Sequence, residues 1–174
     1  MKELILGGVR TGKSRHAEER ARESALEVTY IATARDAVDP ELRERIKRHR
    51  ERRSTAWTVI EEPIRLGAAL VAHAADRRCI LVDCLTLWLT NLLWASEAGL
   101  VERELRDLER VFPELPGHII LVSNEVGFGV VPLDAMTRRF IDEIGVLHQW
   151  LAHACERVVI MVAGIPLVLK DAPR

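Results

Sequence analysis

Residues 4–14 read Leu4-Ile5-Leu6-Gly7-Gly8-Val9-Arg10-Thr11-Gly12-Lys13-Ser14, and this stretch decides the fold. Leu4–Leu6 is a short continuous apolar run, as in a strand covered on both faces, and Gly7 to Ser14 completes the pattern G-x-x-x-x-G-K-[ST]. In that pattern the glycines let backbone N–H groups curl around phosphate oxygens. A helix starting near Lys13 turns its positive end toward the same oxygens. Lys13 is placed to reach the terminal phosphates and Ser14 to ligate Mg²⁺. Gly7, Gly8, Val9, Arg10, Thr11, Gly12, Lys13 and Ser14 are therefore read as a nucleoside triphosphate site.

Outward from this loop, apolar runs alternate with helical patterns along the whole chain. The further runs are Val28–Ala32, Trp57–Ile60, Ile80–Val82, Ile119–Val122 and Val158–Val162, with a last short one at Leu167–Leu169 expected to add an edge strand. Helices are expected near 13–25, 40–52, 64–75, 86–97, 102–112 and 134–155. Such alternation predicts an α/β fold with a mostly parallel sheet flanked by helices. Pro113 and Pro116-Gly117 mark a turn, with no linker or repeat, so 1–174 is expected to be a single domain.

Composition narrows the class. The 174 residues carry 25 basic and 26 acidic side chains, a net charge of −1, which argues against a generally basic nucleic-acid binder. Cys79, Cys84 and Cys155 form no metal-like spacing with the histidines and suit a reducing compartment. The longest apolar stretch, 79–95, is broken by Asp83, Thr86, Thr90 and Asn91, a poor membrane span. The expectation is a cytoplasmic protein without a signal segment or a membrane span.

A triphosphate site of this kind needs a carboxylate across the sheet to help hold the metal. The run 78–83 ends in Asp83, which becomes the Mg²⁺ candidate together with Ser14. An N-cap for the following helix is a compatible second use of Asp83. Positive charge is concentrated between Arg43 and Arg53, where seven basic residues stand against Glu44 and Glu51, with His49 among them. At about 100° per residue, Leu42, Ile46, His49 and Arg53 lie within roughly 60° of one another on a helix. His49 thus continues an apolar stripe that faces the body of the protein. A neutral imidazole can be a nucleophile near pH 7, and neighbouring guanidiniums can anchor phosphate oxygens. A solvated basic helix with one half-buried histidine is the plainer alternative.

Larger patterns now coincide. Residues 7–18 continue as Arg15-His16-Ala17-Glu18, followed by Tyr30-Ile31-Ala32-Thr33, Arg45-Ile46-x-x-His49, Trp57 with Glu61, Thr90-Asn91-Leu92-Leu93, Ser123-Asn124-Glu125-Val126-Gly127 and Val131-Pro132. In order and spacing they resemble the bifunctional adenosylcobinamide kinase / adenosylcobinamide-phosphate guanylyltransferase family of cobalamin biosynthesis. The resemblance implies a RecA-like P-loop NTPase sheet and a homotrimer. It also implies two steps: phosphorylation of adenosylcobinamide with ATP or GTP, then transfer of GMP from GTP to the corrinoid phosphate with release of pyrophosphate. The guanylylated histidine of the family falls on His49. Family nucleotide contacts fall on the loop 7–14, on Thr33, Ala34 and Arg35, on Arg50, Glu51, Arg52 and Arg53, on Glu61 and on Asp83. Thr11, Arg50 and Asp83 stand where the family pattern has serine, lysine and glutamate, which keeps hydroxyl or charge at each place.

Asp83 and Glu125, each at the end of an expected strand, are candidates to accept the proton of the substrate hydroxyl, and a structural loop role for Glu125 is equally open. The apolar helix near 86–97 offers more than one greasy face, for the core and for a subunit or corrinoid contact. Gly127-Phe128-Gly129 reads as a turn or a substrate loop. His16, His73, His118, His148 and His153 receive no role. The contrasting readings are a nucleic-acid-stimulated ATPase gripping phosphates through 43–53 and a regulatory nucleotide-binding module without turnover.

Overall fold

The computed structural model describes residues 1–35 and 56–172. Among them, seven strands form one sheet: β1 (Lys2–Gly7), β2 (Glu27–Ala32), β3 (Thr58–Glu61), β4 (Arg78–Asp83), β5 (His118–Val122), β6 (Arg157–Val162) and β7 (Ile165–Asp171). Their order is β3-β2-β4-β5-β1-β6-β7. The first six run parallel, and β7 returns antiparallel along β6. Ala163 and Gly164 turn that hairpin, both with positive φ (52° and 84°), as a tight two-residue hairpin turn requires. The expected strands and the edge strand are thus in place.

The helices are α1 (Lys13–Glu23), α2 (Leu66–His73), α3 (Leu85–Trp94), α4 (Leu100–Val111) and α5 (Ala135–Ala154). The helix expected at 40–52 lies outside the described residues. Alternation along the strands divides the core between two faces. Leu4, Leu6, Ile31, Ile80, Val82, Ile119 and Leu121 pack with α2, α3, α4 and α5, whereas Ile5, Tyr30, Leu81, Ile120 and Val159 pack with Ala17 and Ala21 of α1. Both faces are covered, which is why these strands read as continuous apolar runs rather than alternating ones.

The two greasy faces of α3 are mostly absorbed by this core. Leu85, Thr86, Trp88, Leu89, Leu92 and Leu93 are all buried, and the Trp88 indole donates to the Ile64 carbonyl at 2.7 Å. Only Trp94 of its large apolar side chains remains mostly exposed. No helix among the described residues is long and apolar enough to cross a membrane.

Parallel strands place their C-terminal ends along one rim of the sheet. The loop after β1 and the ends of β2, β3, β4 and β5 therefore converge where ligands of open α/β sheets bind.

Candidate nucleotide site

The loop after β1 has the backbone its sequence demands. Gly7 and Gly12 have φ of 147° and 94°, and even Arg10 sits at φ 58°. A Cβ on Gly7 would lie 2.6 Å from the Met161 carbonyl oxygen and 2.8 Å from Thr11 Oγ1, so the loop passes β6 at a distance only glycine tolerates. Gly164 N–H donates to the Thr11 carbonyl at 3.1 Å, and Glu125 N–H to the Gly7 carbonyl at 3.0 Å. The hairpin turn on one side and the strand end on the other thus clamp the loop.

Helix α1 begins immediately behind it, with Gly12 as N-cap and no side chain capping the first turn. Its leading N–H groups are those that an anion satisfies. Lys13 is buried and folds back over the loop, with Nζ donating to the Gly8 carbonyl at 2.6 Å; Thr11 Oγ1 donates to the same oxygen at 2.9 Å. Val9 and Arg10 are exposed at the loop tip and Ser14 is half-buried in the first helical turn.

Asp83 ends β4, one strand removed from β1 across β5. Its Oδ2 accepts a hydrogen bond from Tyr30 Oη at 2.9 Å, and Tyr30 in turn stacks on Trp57. The tyrosine therefore fixes the carboxylate at the rim. The sequence signal for this positioning role is the one polar ring, Tyr30, in the run 28–32.

Thr33 does not face the rim with its side chain. Fully buried, its Oγ1 donates to the Cys84 carbonyl at 2.7 Å and accepts from Cys84 N–H at 2.9 Å, while its own carbonyl takes Asn91 Nδ2 at 2.7 Å. It ties β2 to β4 and α3, leaving Ala34 and exposed Arg35 to face outward. Glu61 is exposed at the end of β3, in register with Ala32. His49, Arg50, Glu51, Arg52 and Arg53 lie outside the described residues.

Beyond β5, Asn124 Nδ2 donates to Thr86 Oγ1 at 2.9 Å, and Glu125 Oε1 accepts from Gly127 N–H at 2.7 Å. Behind them stands His148 of α5, buried, with Nε2 2.7 Å from Ser123 Oγ and Nδ1 3.8 Å from Glu125 Oε2. Burial pushes the His148 pKa down, opposed by the Glu125 charge. Sequence spacing offered no hint of this cluster, because 25 residues separate His148 from Ser123.

The donors available for a metal are hard oxygens: the Ser14 hydroxyl and the Asp83 carboxylate. Among the described residues no three His, Cys, Asp or Glu side chains cluster into a protein-built metal cage. Such a set fits Mg²⁺, which keeps several waters and binds through one or two side chains together with substrate phosphates.

Residues 3–169 match the family described as cobinamide kinase / cobinamide phosphate guanyltransferase. The chain belongs to that family. It is 54% identical to the bifunctional adenosylcobalamin biosynthesis protein CobP of Pseudomonas aeruginosa, covering 99% of each chain. It is 34% identical to the bifunctional adenosylcobalamin biosynthesis protein CobU of Escherichia coli, covering 96% of this chain and 98% of that one. Among solved structures, the flagellar accessory protein FlaH of Methanocaldococcus jannaschii superposes with a TM-score of 0.53 at 17% identity, over 98% of this chain and 78% of that one. That likeness concerns the fold alone. Membership of the cobinamide kinase / guanyltransferase family implies nucleotide substrates.

Proposed function

We propose that this chain is the two-step enzyme of cobalamin biosynthesis. It phosphorylates the aminopropanol hydroxyl of adenosylcobinamide with ATP or GTP, then transfers GMP from GTP to that phosphate through a guanylyl-histidine on His49. The products are adenosyl-GDP-cobinamide and pyrophosphate. The observation that carries the reading is the family match over residues 3–169.

In the guanylylation step the β- and γ-phosphates of GTP lie in the loop 7–14, with Lys13 on the terminal phosphates. His49 attacks the α-phosphorus in line, and pyrophosphate leaves with its charge held by Lys13. Arg50 and Arg53 stabilise the α-phosphoryl oxygens, as preorganised cations do in phosphoryl transfer. Thr33, Ala34, Arg35, Glu51, Arg52 and Glu61 complete the nucleotide contacts, Thr33 through its place in the strand end rather than its buried hydroxyl. The corrinoid phosphate then attacks guanylyl-His49 and frees the imidazole. Mg²⁺ held by Ser14 and Asp83 supplies charge neutralisation on the phosphates. In the kinase step the substrate hydroxyl attacks the γ-phosphorus directly, helped mainly by positioning.

The active particle in this reading is a homotrimer of single-domain subunits. The exposed apolar side chains Ile165, Leu167, Val168 and Leu169 on edge strand β7 support association with another chain. The three cysteines are free and buried, their thiols pushed up to about 11, 11 and 12 by burial, which suits the cytoplasm.

The decisive experiment incubates the protein with Mg²⁺ and α-labelled GTP, denatures it, and looks for acid-labile, alkali-stable label. Label from the α but not the γ position, absent from His49→Ala, is expected. A folded, GTP-binding sample without label removes His49 as nucleophile. Hydrolysis of ATP raised by added nucleic acid would instead favour a nucleic-acid-stimulated ATPase.

A further inference from the structure

His148 and Ser123 join Glu125, one of the two carboxylates that the sequence offers for the substrate proton, in a chain that the guanylylation step does not use. Ser Oγ, His Nε2, His Nδ1 and a carboxylate follow one another in the order of a nucleophilic triad. Ser123 cannot serve as that nucleophile, because it is fully buried beneath the rim. The other end of the chain is open: the Glu125 side chain retains 18% exposure, against 8% for His148. The reactive end of the chain is Glu125.

The hydrogens along the chain can be assigned from the chemistry of its ends. The Glu125 charge facing Nδ1 favours the tautomer with the proton on that nitrogen. Nε2 is then an acceptor, and the Ser123 hydroxyl donates to it across 2.7 Å. No charged group other than Glu125 acts on the imidazole among the described residues, and burial keeps it neutral. Ser123 is itself fixed, because its N–H donates to the Ile5 carbonyl at 3.0 Å. The chain therefore runs from strand β1, through β5 and α5, out to one carboxylate oxygen.

The backbone that carries this carboxylate is tied to the phosphate loop. The Glu125 N–H donates to Gly7, the first residue of the loop, and its Oε1 is occupied by Gly127 N–H. Oε2 is left, 3.8 Å from His148 Nδ1, beyond direct hydrogen-bond length but near enough for the ring N–H dipole to bear on it electrostatically.

We propose that His148 is a positioning residue of the kinase step: it holds Glu125 Oε2 as the group that takes the proton from the attacking substrate hydroxyl. The inference rests on the kinase reading above. In the step, the hydroxyl oxygen forms the bond to the γ-phosphorus and the bond to the β,γ-bridging oxygen breaks. The nucleoside diphosphate leaves with that electron pair, and the hydroxyl proton passes to Oε2, from which it is lost to water.

The test separates the two nitrogens. In His148→Asn the side-chain amide N–H stands near the Nδ1 position and can still face Glu125; in His148→Gln the amide stands near Nε2 and faces Ser123. Each variant is assayed for phosphate transfer to adenosylcobinamide and for α-label on His49, with thermal unfolding as the fold control. Expected is a fall in kinase kcat of at least tenfold in Gln and Ala variants, recovered several-fold in Asn, with KM for the corrinoid little changed and the ratio of kinase to guanylylation reduced. Glu125→Gln should lower kinase kcat at least as far as His148→Ala, and the two substitutions together no further. Equal losses in both half-reactions that track the melting temperature, or no difference between Asn and Gln, overturn the inference. If the wild-type protein lacks kinase turnover or His49 label, the function reading fails instead.

Discussion

The two rims of the sheet each bury a histidine against a glutamate, and they use the pair in opposite ways. At the rim formed by strand N-termini, Glu3 is fully buried and receives Arg20 Nη2 at 2.6 Å, Arg20 Nε at 3.2 Å and His118 Nε2 at 3.1 Å. Both oxygens are engaged and none faces water. At the opposite rim, Glu125 accepts one backbone N–H and leaves Oε2 beside His148 with solvent in reach. Residue types do not separate the two sites; the number of donors facing each carboxylate does. A saturated carboxylate contributes rigidity, whereas an unsaturated one at a strand C-terminus is free to do chemistry.

The sharpest break between the rims should come from Lys13→Ala. Removing the phosphate-reaching cation should lower both half-reactions by about 10²–10³-fold. Stability should change less than activity, because the Lys13 ammonium is turned onto the phosphate loop itself, where it donates to the Gly8 carbonyl. Turnover assays beside a urea melt check both halves of that statement. Glu3→Ala should do the reverse. It strands Arg20 and His118 without their buried partner at a cost of about 3–5 kcal/mol, while the folded fraction keeps its specific activity. A loss of activity per folded molecule in Glu3→Ala would remove the contrast.

Two glycines sharpen the comparison at smaller cost. Gly7 at the nucleotide rim and Gly117 at the other both have positive φ, 147° and 83°. A Cβ on Gly117 would come within 2.3 Å of the Ala75 carbonyl oxygen, as one on Gly7 would approach the Met161 oxygen at 2.6 Å. Alanine at either should destabilise by about 1–3 kcal/mol. Only Gly7→Ala should also weaken nucleotide binding, measured by titration with a non-hydrolysable triphosphate.

Much of this arrangement was legible in the sequence for a local reason. A phosphate loop is read from eight consecutive residues, because its ligands are its own backbone groups, and apolar runs such as Ile80–Val82 and Ile119–Val122 report strands covered on both faces. Asp83 was legible because it ends such a run. The histidine clusters were not, since Glu3 and His118 meet only when β1 and β5 become neighbours, and Ser123 and His148 only when the helix α5 crosses back over the sheet. The nucleotide contact at Thr33 is what the family resemblance implies; its inward turn was not legible, and its hydroxyl ties β2 to Cys84. Tyr30 shows the converse: its ring lies in the core while its hydroxyl holds Asp83 at the rim.

The smallest effect distinguishes the rims by pH. Burial on its own would raise the Glu3 pKa, but hydrogen bonds from His118 and Arg20 prevail and bring it from 4.5 down to about 2. A depressed carboxylate pKa means that the unfolded chain binds the proton first as pH falls. The stability from Glu3 is therefore present above about 4.5 and lost between 4.5 and about 2. For His148 burial lowers the pKa from 6.5, so the unfolded imidazole again protonates first, and stability starts to fall as pH drops below about 6.5. Each group contributes a slope of at most about 1.4 kcal/mol per pH unit. Chemical denaturation from pH 8 to 3 should therefore show two descending limbs. His148→Asn should flatten the upper one and leave the lower, and Glu3→Gln should flatten the lower one and leave the upper. If His148→Asn leaves the limb below pH 6.5 intact, the imidazole is not held neutral in the fold, and the orientation of its proton toward Glu125 fails with it.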